Sequence, residues 1–405
     1  MSDSLIFTQQ IEVEPTAVYY ALTHSGALRE WLCTVAHVES RVGGRIYLWW
    51  PQGYYAAGEF TQLEPGKAVA LRWLGKDEAH PTTVTIALAP VDGGTAVQLT
   101  HAGLGEGELW QPTRTEWQKG WQIGLENLKS VLETGLDKRL FDRPMLGIFI
   151  GGEVGAAEME AMSLPAAGGI RLGGTIDGSG AAALGLQAGD ILVEMAGHAT
   201  VDLLALQTAV QPHRAGDQVK IAYYRDGEKQ SGLLQLGRRP TPVLPASPAD
   251  FAEQLQNVYA QLDGELDALL ADVAEAEASY HPAAGEWSVK DVLAHLITTE
   301  RGVQMGLATQ LTDGVQDGYP DNPDAWIHAV TAVYPTLADV LALWKRTEAE
   351  TVALVAELPA AFVARKATYL NAVINLLQGL PGHTRAHFTQ IQEAVAAARA
   401  QSLAV

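Results

Sequence analysis

Cysteine is nearly missing from this 405-residue chain. Cys33 is the only one, so no disulfide can form within the chain and stability rests on packed cores. Basic residues are also scarce: 27 Lys and Arg stand against 47 Asp and Glu, a formal charge of −20. Neutralising phosphates takes clustered cations, and no basic run occurs, which argues against a nucleic-acid partner. Long apolar runs are absent as well, and no stretch reaches the roughly 20 residues of a membrane span. The first 13 residues alternate polar and apolar side chains and lack the basic and apolar segments of a signal peptide. A single cysteine beside 10 tryptophans fits a reducing compartment. The expectation is therefore a cytoplasmic protein with neither a membrane nor a nucleic-acid partner. Cys33 reads as a small buried hydrophobe before a reactive thiol.

What is present divides into three parts. The length suits two to four domains, and 47% hydrophobic residues can fill several cores. Residues 1–138 open with a β-type run at 5–13 and two short helical stretches, at 15–22 and from Ser25 through Trp31. Strand-like runs follow at 38–42, 45–49, 54–63, 68–73, 82–90 and 94–101, separated by turn residues such as Gly43-Gly44, Pro65-Gly66 and Asp92-Gly93-Gly94. An amphipathic helix over 113–133 presents Trp117, Trp121, Ile123, Leu125, Leu128, Val131 and Leu132 as its apolar set. This order resembles the START-like helix-grip fold. Trp31, Gly43-Gly44, Glu64-Pro65, Leu99-Thr100-His101 and Gly120-Trp121 are similar to its branch related to activators of the ninety-kilodalton heat-shock protein's ATPase. The resemblance implies a curved sheet gripping the long helix, a small hydrophobic ligand in the cavity between them, and a place in a stress response. Trp49, Trp50, Tyr54, Tyr55, Trp73 and Trp110 are the candidates to line that cavity, and otherwise belong to core and rim. His101 has no charged or nucleophilic partner in sequence and receives no catalytic role.

Residues 143–238 hold short β-rich runs at 191–193, 219–224 and 232–236 and a helical stretch at 201–210. Turn pairs Gly189-Asp190 and Asp226-Gly227 punctuate them, and a loose Gly/Ala-rich insertion follows Phe149. The order of Arg143-Pro144-Met145-Leu146-Gly147-Ile148, Gly174-Thr175-Ile176-Asp177-Gly178 and Ala188-Gly189-Asp190-Ile191-Leu192 resembles a PDZ domain of the bacterial HtrA type. The resemblance implies a small β-barrel that accepts a peptide or protein C-terminus as an added strand. Met145, Leu146, Gly147 and Ile148 would turn backbone N–H groups toward its carboxylate. Gly180 stands where the family often has proline. No histidine opens the helix near Asp202 and Leu203, so an apolar peptide end is expected. A scaffold that only spaces its neighbours is the alternative.

A segment with Pro240, Pro242, Pro245 and Pro248 reads as a stiff spacer leading into the last part. Residues 248–405 carry four amphipathic segments: one ending near 276, one capped by Ser288, one from Thr336 to 358, and one over 369–400. They predict a four-helix bundle, and Pro381 should kink the last segment or begin a new helix there. His383 and His387, four apart, project from one helical face, and His295 lies mid-helix on the second segment. Three neutral imidazoles take three positions around a divalent metal and leave the rest open. The runs Gly285-Glu286-Trp287-Ser288 with Ala294-His295-Leu296, and Gly382-His383-Thr384-Arg385-Ala386-His387, resemble the DinB-like superfamily of four-helix bundles. That resemblance implies a metal site at His295, His383 and His387, holding Zn²⁺ first, with Ni²⁺ or Fe²⁺ as alternatives. It also implies thiol transfer from a low-molecular-weight thiol such as mycothiol or bacillithiol. Glu300 and Gln390 are candidates to orient the ligands from behind, and His281 and His328 read as surface residues. Two functions are carried forward. One is a thiol transferase acting on small electrophilic or toxic molecules. The other is a non-enzymatic stress-response adaptor that binds peptide C-termini and hydrophobic ligands or clients.

Overall fold

A computed structural model describes residues 4–105, 110–315 and 323–403. The N-terminal part is an antiparallel sheet of seven strands: β1 (Ser4–Ile11), β2 (Val35–Val38), β3 (Arg45–Trp49), β4 (Tyr55–Glu64), β5 (Ala68–Gly75), β6 (Thr82–Val91) and β7 (Gly94–Ala102). They lie in the order β1-β7-β6-β5-β4-β3-β2, so the chain's first strand closes the edge beside the last. Two short helices, α1 (Pro15–Thr23) and α2 (Ser25–Trp31), cross between β1 and β2. The long helix α3 (Gln111–Thr134) buries Trp117, Trp121, Leu125, Leu128 and Val131. These recur every three or four residues, as one helical face requires. That face, Trp31 of α2, and the inward side chains of the strands, Leu48, Phe60 and Leu99 among them, form one core. The helix-grip expectation holds. Gly135 ends α3 at φ 80, a left-handed cap.

Residues 136–241 make a separate compact unit. It contains α4 (Lys138–Phe141), β8 (Pro144–Met145), β9 (Ile148–Val154), α5 (Ala156–Ala161), β10 (Gly169–Thr175), α6 (Gly180–Leu184), β11 (Ile191–Met195), β12 (His198–Ala199), α7 (Leu203–Val210), β13 (Gln218–Arg225), β14 (Glu228–Gln235) and β15 (Gly237–Arg238). The main sheet runs β14-β13-β11-β10-β9, with β12 on β11; β15 pairs with β8. The stretch expected to be a loose insertion after Phe149 is instead β9, α5 and β10. Of its apolar residues, Val154, Met159 and Leu164 are buried against Ile191, Val193 and Tyr224 as a second small core, while Ile170 and Leu172 join the main one. Glycine and alanine around them hide that pattern in the sequence.

The C-terminal part is helical: α8 (Pro248–Leu270), α9 (Glu275–Ala278), α10 (Val289–Leu311), α11 (Pro323–Val333), α12 (Leu337–Ala356), α13 (Ala360–Ala364), α14 (Lys366–Ile374), a π-helical turn (Asn375–Gly379) and α15 (Leu380–Leu403). Ser247, Ser288 and Thr336 cap α8, α10 and α12 by accepting from the backbone N–H of the third residue on. In the last two an aspartate at that position bonds back to the cap. Leu255, Leu262, Leu293, Ile297, Trp344 and Ile391 fill the core between α8, α10, α12 and α15.

The last segment breaks where Pro381 led one to expect: a π-helical turn ends at Gly379, and α15 begins at Leu380, directly before the proline. Proline has no N–H to give to the helix ladder, and the π turn lies just upstream of it. By compactness the bundle and the N-terminal sheet form one unit, Met1–Gly135 together with Pro242–Val405. No single helix among the described residues is long and apolar enough to cross a membrane.

Candidate metal centre

Two helices bring the three histidines together. α10 supplies His295 and α15 supplies His383 and His387, one turn apart. One ring nitrogen from each lies within 4.8 Å of the others, and all three rings are half-buried. Ring centroids are 4.6 Å apart for His383 and His387, 4.7 Å for His295 and His387, and 5.4 Å for His295 and His383.

Protonation favours ligation. Burial, then the neighbouring His387 and His383, pushes His295 down to about 4. His383 is lowered too, by burial and then His387. Both imidazoles are therefore neutral near pH 7, the form that binds metal. His387 Nδ1 donates to Gln390 Oε1 at 2.8 Å. That bond leaves the lone pair on His387 Nε2, which lies 3.2 Å from His383 Nε2. Two nitrogens on one tetrahedral zinc, each about 2.05 Å from it, are about 3.3 Å apart. The three-imidazole donor set, and the spacing of the His383–His387 pair, therefore fit a divalent site. Trp287, on the turn before α10, lies over His295 at 4.9 Å and His387 at 6.3 Å and covers one side.

Three family models match parts of this chain. The family model "DinB superfamily" matches residues 259–391, which include all three histidines. "Activator of Hsp90 ATPase homolog 1-like protein" matches residues 12–133, and "PDZ domain" matches residues 171–236. Three domain families meet in this chain. The PDZ region is also similar to two proteins described as "Serine protease Do-like HtrA" from Lactococcus lactis. The one from subsp. lactis is 30% identical over 111 residues, covering 26% of this chain and 27% of the relative. The one from subsp. cremoris is 31% identical over 116 residues, covering 28% of each. The chain thus spans about a quarter of the length of the curated relatives it matches. Among solved structures, the Aha1 dimer from Colwellia psychrerythraea is 24% identical, covering 33% of this chain and 97% of that one at a TM-score of 0.30. An HSP90 activator from Plasmodium falciparum is 25% identical, covering 32% and 96% at 0.28. At those TM-scores neither likeness adds to the assignment.

Gln390 bonds His387 on the ring nitrogen that faces away from His383. Replacing it by Ala should weaken metal binding about 10-fold, the lower end for such outer partners. Competition with a chromogenic chelator reads this, and an unchanged affinity would remove Gln390 from the site. Glu300 stands elsewhere and corrects the expectation. Its Oε1 accepts from the hydroxyls of Tyr259 and Thr351, each at 2.5 Å. Five residues on from His295, it projects roughly 140° around α10 and faces α8 and α12. Glu348 of α12 shares that interior; its Oε1 is buried and has no hydrogen-bond partner among the described residues. Burial first, then the charges of Asp263 and Glu300, push Glu348 up to about 10. His281 donates from Nε2 to Asp291 at 2.8 Å on the surface, and His328 is exposed, as expected.

In the activator-like domain the six candidate cavity residues separate. Trp73 and Trp110 join a ring cluster with His80, His101, Trp117 and Trp121. Tyr54 pairs with Trp50 at 5.3 Å. Tyr55 is exposed beside Tyr47, and among the described residues no ring contact places Trp49 with the others. His101 proves fully partnered. Trp121 Nε1 donates to its Nδ1 at 3.0 Å, its Nε2 lies 2.8 Å from Thr82 Oγ1, and Trp117 stacks at 3.8 Å. Burial pushes it down to about 3, so it is a neutral core residue with no proton to trade at pH 7. Its partners lie 16 to 20 positions away in sequence, where no local signal points to them. The Trp73 indole N–H is buried without a hydrogen-bond partner among the described residues.

In the PDZ domain, Gly147 adopts φ +81, and a Cβ there would meet the Ser179 side chain at 2.2 Å. Its carbonyl accepts from Ile176 N at 2.8 Å and Ser179 Oγ at 3.1 Å, which fixes the 145–148 loop. β9 ends the main sheet. Leu146 and Ile148 on one side and Leu203 and Val210 of α7 on the other are partly buried against the same core.

Proposed function

We propose that the DinB-type bundle is a metal-dependent thiol transferase acting on small electrophilic molecules. The observation that carries this reading is the approach of two Nε2 atoms to 3.2 Å, with a third imidazole beside them. A divalent ion held there supplies Lewis acidity that brings proton loss from a thiol into the neutral range. The chain's own residues do the rest. His295, His383 and His387 offer imidazole nitrogens, which leave the ion's charge uncancelled. Gln390 holds the proton on His387 Nδ1. Trp287 shields one side from water and offers an apolar face to a planar substrate. In the reaction the thiol sulfur bonds to the electrophilic carbon, the leaving group departs with its electron pair, and the thiol proton passes to solvent.

The test uses the full chain loaded with Zn²⁺, a low-molecular-weight thiol and chlorodinitrobenzene, followed by thioether absorbance. A rate above that of thiol alone, lost in His295→Ala, supports the reading. Equal rates with and without the chain refute turnover.

A second reading, an adaptor that binds peptide ends, has one observation in its favour. β9 is a sheet edge lined by apolar side chains from two elements, the form that accepts an added strand. Met145, Leu146, Gly147 and Ile148 would hold the terminal carboxylate. A fluorescent peptide ending in valine should bind, and its C-terminal amide should not. Gly147→Val, strained at positive φ and blocked by Ser179, should abolish binding. Equal binding of acid and amide would contradict the assigned loop. For the activator-like domain a small hydrophobic ligand between the sheet and α3 is proposed.

A further inference from the structure

The bundle's two histidine-bearing helices are tied at their far ends to the activator-like domain. The tie is Arg365, at the break between α13 and α14. Its Nη1 donates to the Tyr20 hydroxyl at 2.8 Å and to Asp313 Oδ1 at 2.9 Å, and its Nη2 donates to the Gln310 carbonyl at 2.8 Å. Tyr20 belongs to α1 of the N-terminal domain and itself donates to Asp313. Gln310 and Asp313 lie at the C-terminal end of α10, where a cation adds a donor to the last carbonyls and opposes the helix dipole. The guanidinium also lies over the rings of Tyr20 and Phe362, at 5.8 and 5.1 Å. One side chain thus joins α1, the end of α10 and the start of α14.

The residues after Arg365 continue the docking. Ala367 is buried in the N-terminal domain's own core. Thr368 Oγ1 donates to Glu30 Oε1 at 2.5 Å, and Lys366 Nζ donates to the Glu133 carbonyl at the end of α3. From there α14 leads through the π turn into α15 and its two histidines. A π turn carries one residue more than an α turn, so it resets the rotational phase of all that follows. It lets α14 face the N-terminal domain while His383 and His387 face His295. Along straight helices the triad lies roughly 20–30 Å from the tie, and the rotation of both rods is fixed at that shared end.

We propose that Arg365 is a positioning residue for the histidine triad, through which the N-terminal domain sets the relative phase of the two metal-bearing helices. The part of this that concerns metal affinity rests on the metal reading above; the positioning itself does not. Tyr20 is suited to the task because burial and Asp313 push it up to about 12, so its hydroxyl stays a donor across the neutral range.

The deciding experiment is amide hydrogen exchange on the metal-free full chain, comparing the parent with Arg365→Ala and Tyr20→Phe. Ala367 and Thr368 still anchor the domain in both variants, and Tyr20→Phe removes one oxygen only. Segments 292–298 and 380–390 should exchange several-fold faster in both variants, while 148–154 of the PDZ domain stays unchanged. Faster exchange confined to 310–315 and 360–368 overturns the proposal. A Co²⁺ titration supplies the second readout. Arg365→Ala should bind about 10-fold more weakly with an altered visible spectrum, a coupling of ordinary size, and Arg365→Lys should recover part of the loss. A parent that binds Co²⁺ with the same affinity and spectrum as Arg365→Ala also overturns it. A parent that binds no Co²⁺ removes the metal reading and leaves exchange to decide the positioning.

Discussion

His387→Ala lowers Zn²⁺ affinity by a factor on the order of 10² in a chelator competition, and the folded chain remains. Zinc binding in protein sites is worth roughly 10 kcal/mol or more. Removing one of three imidazoles takes about a third of it, about 3 kcal/mol, and each 1.4 kcal/mol is tenfold. The remaining pair, His295 and His383, has no bridging Nε2 at 3.2 Å and no Gln390 to set its tautomer. Half-buried rings soften the cost to the fold: an Ala at 387 leaves a dent that water can enter. An equal loss in His281→Ala, whose ring bonds Asp291 at the surface, would show that the effect is not the triad's.

Glu348→Gln stabilises the bundle at neutral pH, and by more the higher the pH. The carboxyl is 3% exposed, faces Asp263 and Glu300, and is held at about 10 against an ordinary 4.5. The folded chain therefore keeps a proton that the unfolded chain releases above pH 4.5. Between 4.5 and 10 the unfolded state binds fewer protons, so stability falls as pH rises, by about 1.4 kcal/mol per unit. At pH 7 the cost is 2.5 units, about 3 kcal/mol. Lys345, which lowers the value, and Tyr259, whose hydroxyl serves Glu300, are the other titratable groups facing this interior. Glutamine keeps the shape, donates an N–H where the acid donated its proton, and cannot ionise. Thermal unfolding at pH 5 should differ little between parent and variant. At pH 8 the variant should melt several degrees higher. A variant that melts lower than the parent at pH 8 would mean that Glu348 is ionised and paired in the folded chain.

Local rules made much of this fold legible. The caps Ser288 and Thr336 sit where a short polar side chain precedes an apolar helical face, because capping is settled within four residues. The i, i+4 pair His383 and His387 is equally local, and the surrounding words led to His295. Long-range placement was not legible. Glu300 looks like a partner of His295 in sequence, yet the turn of α10 carries it toward Tyr259 and Thr351. His101 shows no partner until β6, β7 and α3 assemble around it. The docking of 365–368 on α1, α2 and α3 joins residues more than 200 positions apart, and no periodicity encodes such a meeting. In the segment 150–173 the buried apolar anchors Val154, Met159, Leu164, Ile170 and Leu172 are separated by small residues, which hides their periodicity.

The most direct measurement is the metal content of the untagged full chain, purified without added metal and read by elemental analysis. About one equivalent of Zn, Ni or Fe per chain, absent from a His383→Ala/His387→Ala double variant, is the predicted result. A parent without metal that also fails to take up added Zn²⁺ would contradict the metal centre. The PDZ edge strand would then be the chain's better-supported binding site.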